Sequence, residues 1–318
     1  MIIDAHTHLL PSSVVKNRRS FFRRDAAFRL LYENEKARLA RPEDLLENMD
    51  REGVRQAVIC GFPWNDPALC REGNDFLWEC QARYPGRFLP LACFSLRSLR
   101  EAEKERDRCL LKGFAGIGEL AFYRGNLSSE IIRRLTAVLK PLRGKSVPVL
   151  LHTNEPVGHP YPGKISGGLL PVFRLLQALP DVTFILAQWG GGFFFYELMP
   201  EVANAAAKVF YDTAASPFLY RPLIYSLALK IIGPDRILFG SDYPLLTPQR
   251  YFFEMAEARL SAPVQARIQG LNAERLFLAN QNMAAGAKIR YNSLDHRRKP
   301  AGEEKSRFVP IDFQVKSH

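Results

Sequence analysis

Short apolar runs recur along the chain at residues 2–9, 54–60, 87–94, 114–119, 147–152, 182–188, 209–212 and 236–239. Between them lie stretches whose apolar residues fall at helical spacing, over 42–52, 66–84, 97–112, 128–144, 169–179, 193–208 and 217–232. Pro42 stands in the first turn of one such stretch and Gly53 just past its end, the places a helix tolerates or requires them. Gly113 ends another in the same way. The strands are near-continuous apolar runs, not alternating ones, as expected when both faces of a sheet are covered.

Eight strands alternating with helices over about 250 residues predict a (β/α)8 TIM barrel. An open doubly wound sheet is the alternative, but no G-x-G-x-x-G turn follows the first strand. Residues 11–41 interrupt the rhythm as an Arg-rich, cap-like insertion, with Phe21, Phe22, Phe28, Leu30 and Leu31 at partly helical spacing. Further helices are expected over 248–259, 263–270 and 273–280, and the barrel domain is placed at 1–283. A polar, basic C-terminal extension over 284–318 follows, broken by Pro300 and Pro310.

Composition adds limits. A chain of 318 residues with 47% hydrophobic and 24% charged residues can bury a sizeable core. The net charge of +11 suggests a polyanionic partner until it is located. Residues 16–41 carry about +6 and residues 283–318 about +4, so the body is nearly neutral and nucleic acid is not the expected partner. The five cysteines form no C-x-x-C pair and read as free thiols of a reducing compartment. No apolar run is long enough to span a membrane, and no signal-peptide pattern opens the chain, so a cytoplasmic location is expected. Oligomeric state is left open, a homodimer included.

Polar residues at the carboxyl ends of the strands carry the candidate chemistry, because barrel active sites lie there. The first strand ends in His6-Thr7-His8, whose imidazoles two apart share one face. The fourth ends at Glu119, the fifth at His152, the sixth at Gln188, and Asp242 follows the eighth. Each alone has a bland explanation: Glu119 as an ion-pair partner, His152 as a hydrogen-bonded core histidine, Asp242 as a helix N-cap. Together, at matching strand ends, they suit a divalent metal such as zinc with one position open to water.

These motifs resemble the amidohydrolase superfamily. His6-Thr7-His8, Gly118-Glu119, Leu151-His152, Ala187-Gln188-Trp189-Gly190-Gly191 and Gly240-Ser241-Asp242-Tyr243-Pro244 are similar to the successive metal-site motifs of its amidohydrolase-2, or TIM-barrel metal-dependent hydrolase, group. The resemblance covers about residues 1–280, including a closing segment Asn272-Ala273-Glu274-Arg275-Leu276-Phe277. It implies that His6, His8, His152 and Asp242 surround one or two metals and that Glu119 is able to bridge two. One departure is plain: Gln188 stands where the group has histidine. An amide is a weaker ligand and no base near neutral pH, so a single metal is the preferred expectation.

The leading expectation is therefore a hydrolase that activates water on the metal and cleaves an amide, ester or lactone of a small, anionic substrate, with Asp242 moving the proton. Non-oxidative decarboxylation of an aromatic or unsaturated acid is the alternative that relatives in the group imply. A third reading is a weakened enzyme retained as a binding protein because of Gln188. The loop 153–168 after the fifth strand is too rich in glycine and proline for regular structure. It offers Glu155, His159 and Lys164 as substrate contacts, joined by Gln188 and Trp189; Tyr161 and Trp64 are further candidates.

Overall fold

The computed structural model describes residues 1–123, 127–165 and 167–278. The expected extension over 284–318 and the last residues of the helix expected over 273–280 lie outside that set. Eight strands form one parallel sheet in sequence order: β1 (Ile2–His8), β2 (Val54–Cys60), β3 (Phe88–Ala92), β4 (Gly116–Leu120), β5 (Val149–Leu151), β6 (Phe184–Leu186), β7 (Val209–Asp212) and β8 (Ile237–Leu238). The chain just after β8 then returns to β1. Ala5 N donates to Phe239 O at 2.8 Å, Asp242 N to His6 O at 2.9 Å and His8 N to Tyr243 O at 2.7 Å. The sheet is a TIM barrel, and the seam that closes it carries both His8 and Asp242.

Two-residue alternation divides the strands between two packing layers. Val58, Cys60, Leu150, Ile185 and Leu238 fill the barrel interior, together with Phe277. Ala57, Ile59, Val149, Leu151, Leu186 and Phe239 pack outward against the helices. The helical layer contains α4 (Pro42–Glu52), α5 (Pro67–Arg83), α6 (Leu99–Lys112), α7 (Ser129–Leu139), α8 (Leu170–Ala178), α9 (Pro200–Ala205), α10 (Ser216–Leu219), α11 (Leu223–Ile232), α12 (Pro248–Glu257) and α13 (Ala262–Ala266). Side-chain caps start several of these, as Ser98 accepts from Glu101 N and Ser128 from Ile131 N. Gly53 at φ 71° and Gly113 at φ 95° end α4 and α6 in the left-handed conformation expected for them.

The inserted segment forms three short helices, α1 (Ser12–Lys16), α2 (Arg18–Phe21) and α3 (Ala26–Tyr32). They are pinned by Phe28, fully buried against Phe62 and Trp64 at ring-centroid distances of 5.1 and 4.7 Å. Two expected helices are corrected. The stretch 193–208 is not one helix: Gln188–Leu198 is an irregular 3₁₀ segment in which Gln188 through Gly192 have positive φ, Met199 is extended, and Pro200 begins α9 afresh. The stretch 217–232 is split into α10 and α11, with Tyr220 extended and Pro222 between them.

Candidate metal centre and active-site cavity

Four strand ends place their polar side chains around one point. His6 Nε2 and His8 Nε2 stand 3.0 Å apart. Asp242 Oδ1 lies 3.2 Å from His8 Nε2 and 3.9 Å from His6 Nε2. Glu119 approaches His6 Nε2 at 3.7 Å and His8 Nε2 at 3.6 Å, and accepts from His152 Nδ1 at 3.0 Å. Ligands held about 2.1 Å from one ion at tetrahedral angles stand roughly 3.4 Å from each other. The spacing of these atoms fits that requirement, and His6, His8 and Glu119 bring one ligand atom each within 4.8 Å of the others. His152 Nε2 is buried with no hydrogen-bond partner, which suits an atom whose partner is a cation or a substrate.

The backbone explains how the side chains reach this point. Glu119 follows Gly118, where a Cβ would lie 2.5 Å from the Leu150 carbonyl oxygen. Asp242 takes φ 57°, an uncommon conformation for a residue with a side chain. It is held there by Ser241, whose N–H and Oγ both donate to the buried Asp4, and by Tyr251, whose Oη donates to Ser241 O at 2.7 Å. Asp4 also accepts from His6 N at 3.2 Å, so one carboxylate ties β1 to the Asp242 turn.

Asp212, at the end of β7, is absent from the expected set and belongs beside it. Its Oδ2 accepts from His6 Nδ1 at 2.8 Å, which leaves Nε2 free to face the cluster. Its Oδ1 accepts from Gln188 N at 2.8 Å and Ala214 N at 3.0 Å. A carboxylate ending an apolar strand was the available signal, the same one that marks Asp242.

Electrostatics follow from burial and pairing. Burial alone would raise the Glu119 carboxyl, but the His6 and His152 imidazoles hold it well below the usual carboxylate range. Burial likewise opposes protonation of His6, yet Asp212 and Glu119 push it well above the ordinary imidazole value. His152 is raised against the same opposition, chiefly by Glu119. Asp242 is lowered despite its burial, by its hydrogen bond to His8 and the charge of His6.

The cluster forms one end of a cavity of about 600 Å³. His8, Glu119, His152, Gln188 and Asp242 face it at that end, while Leu10, Phe62, Tyr123 and, from the inserted segment, Leu31 and Tyr32 make apolar and phenolic walls. The Tyr123 ring lies 5.1 Å from the His152 ring. Burial raises the Tyr32 and Tyr123 hydroxyls, helped by the Asp242 and Glu119 charges, so both are hydrogen-bond donors at neutral pH. Neither tyrosine sits in a motif; only the folded chain brings them here.

The other expected contacts divide. His159 and Gln188 face the cavity, and Gln188 Oε1 is buried without a partner. Tyr161 also faces it. Glu155 does not line it; it accepts from Tyr161 Oη at 3.0 Å. Lys164 is turned into its own loop, donating to Val157 O at 2.6 Å and His159 O at 3.1 Å. Trp189 is corrected from substrate contact to core: it is fully buried, its Nε1 donates to Ser216 Oγ at 3.0 Å, and its ring meets Tyr225 edge-on at 5.1 Å. Trp64 packs under the inserted helices.

Comparison with known proteins bears on the reaction. The chain is 26% identical over 287 residues to gamma-resorcylate decarboxylase of Polaromonas sp., covering 73% of this chain and 86% of that one. It is 25% identical over 284 residues to the Rhizobium radiobacter protein of the same name, with 73% and 85% covered. Among solved structures, 5-carboxyvanillate decarboxylase of Sphingomonas paucimobilis superposes with a TM-score of 0.71 at 16% identity, covering 87% of this chain and 98% of that one. A dihydroxybenzoic acid decarboxylase of Polaromonas, with bound manganese and 2-nitroresorcinol, superposes at 0.69 with 19% identity, covering 88% and 97%. These two share the fold.

The expected hydrolysis is overturned by these relatives, which are decarboxylases. Zinc is likewise not singled out, for the metal named in the Polaromonas structure is manganese. No helix among the described residues is long and apolar enough to cross a membrane. A family model for amidohydrolases matches residues 3–278, nearly the whole described chain, and this protein belongs to that amidohydrolase family.

Proposed function

We propose that this protein is a metal-dependent, non-oxidative decarboxylase of a small aromatic carboxylic acid. The observation that carries the reading is the joining of an imidazole–carboxylate cluster and aromatic walls in one cavity. The similarity to gamma-resorcylate decarboxylases over 73% of the chain supports it. His6, His8, Glu119, His152 and Asp242 surround the point at which a divalent metal, manganese or zinc, would be held. A bound cation supplies positive charge that draws the substrate carboxylate and any neighbouring oxygen.

This chain's own groups do the rest. The walls of Leu10, Phe62 and Tyr123 exclude water and receive the ring. The Tyr32 and Tyr123 hydroxyls and the Gln188 amide offer hydrogen bonds to ring substituents. Asp242 faces the cavity from the strand-eight turn; ionised at rest, it would first take a proton from solvent and then pass it to the ring carbon as the bond from that carbon to the carboxylate breaks. The electron pair of that bond takes the proton, carbon dioxide leaves, and Asp242 returns to its ionised form.

The test is released carbon dioxide from a panel of hydroxybenzoates and carboxyvanillate-like acids, with metal-loaded protein. Turnover that disappears in Asp242→Asn while the circular dichroism spectrum is kept is the expected result. Hydrolysis of esters or lactones without carbon dioxide release from any acid would sink the proposal.

A further inference from the structure

A second cavity, of about 760 Å³, lies on the other side of Tyr123 and Pro63, which line both. Its floor is aromatic, with Trp64 and Phe94 nearly buried beneath it. Four arginines stand around it: Arg23 and Arg24 from the inserted segment, Arg97 from the loop after β3, and Arg134 from α7. Two acids also line it, and both are fully used. Asp25 accepts from Ala27 N, Phe28 N and Asn65 N, and the Glu130 oxygens are taken by Arg133 and Arg134.

The basic side is not used up in the same way. Arg24 pairs with Asp66 at 3.2 Å, and Arg134 is committed to Glu130 and the Leu96 carbonyl. Arg23 and Arg97 form no ion pair among the described residues and are exposed at the rim. Two uncommitted guanidinium forks therefore face a cavity with an aromatic floor. Such forks match a carboxylate in shape and charge, and the floor suits a flat ring.

We propose that this cavity is a second binding site, specific for an aromatic carboxylate and independent of the metal. Its position gives it a line to the first cavity. The Tyr123 ring stacks on Phe62 at 6.2 Å on one side of the partition and meets the His152 ring at 5.1 Å. An occupant against Tyr123 restrains the ring that walls the metal site.

The test does not depend on the reaction proposed above. The full-length, metal-loaded chain is titrated by calorimetry with 2-naphthoate, and two equivalents are expected. Removal of the metal by chelator should weaken one of them and leave the other. The double variant Arg23→Ala/Arg97→Ala should lose the metal-independent equivalent, or weaken it at least tenfold, with metal content unchanged. Arg97→Glu is the second variant and should give the same loss. Neutral 2-naphthamide should not occupy this site. A single equivalent in the unsubstituted protein, an unchanged second equivalent in both variants, or equal binding of the amide would overturn the proposal.

Discussion

Asp212 Oδ2 lies 2.8 Å from Nδ1 of His6, and both residues are fully buried. Because a carboxylate only accepts, the imidazole carries its proton on Nδ1 and presents Nε2 to His8, Glu119 and Asp242. The pair joins β7 to β1 across the barrel interior and sets the tautomer that metal binding needs. Asp212→Asn keeps the shape and removes the charge. It should weaken metal affinity about 10–100-fold, measured against a competing chelator, with secondary structure intact.

Gly240 is the point at which the strand-eight end passes closest to this pair. A Cβ there would sit 2.8 Å from His6 Cβ and 3.4 Å from Asp212 Cβ. Neither atom is the free end of a flexible side chain, so backbone must move. Gly240→Ala should cost about 1–3 kcal/mol of stability, and the metal content of the purified variant should fall with it, as elemental analysis will show.

Metal binding should be coupled to protons. His6 and His152 are raised above the ordinary imidazole value by Asp212 and Glu119 respectively, against their burial. A ligating imidazole nitrogen must be unprotonated, so affinity should fall as pH drops through and above the usual imidazole range. Calorimetric titration in buffers of different ionisation enthalpy should detect proton release, roughly one to two per metal.

Glu254, on α12, gives the chain a pH-dependent stability unrelated to the metal. Burial raises its carboxyl from 4.5 to about 7, opposed by a hydrogen bond to Ser216. Between those values the folded chain binds more protons at this site than the unfolded chain does, so its contribution to stability declines as pH rises from about 4.5 to about 7. Glu254→Gln removes the titration. Thermal melts across that window should then show a flatter pH profile than the unsubstituted protein.

Most of the barrel was legible because its signals are local. Apolar runs become strands when both faces of the sheet are covered, here by the barrel interior and the helical layer, and Gly53 and Gly113 end helices by taking a conformation that other residues avoid. The strand-end rule also found His6, His8, Glu119, His152 and Asp242, which the folded chain brings to one cluster. It failed where local pattern and backbone geometry part. The aromatic run after Gly192 reads as one helix to 208, but Met199 is extended and Pro200 starts a new helix. Trp189 looked like a cavity wall and is core, where its indole donates to Ser216.

The amino-acid sequence determined the order of elements, the covered faces of the sheet and the residue types at each strand end, since all three depend on spacing along the chain. Tertiary structure alone decided which atoms meet: Asp212 with His6 Nδ1, Tyr32 and Tyr123 with the metal cluster, and four arginines with an aromatic floor. The first of those relations links residues 206 positions apart. Closure of the barrel sets them, and no local periodicity carries that information.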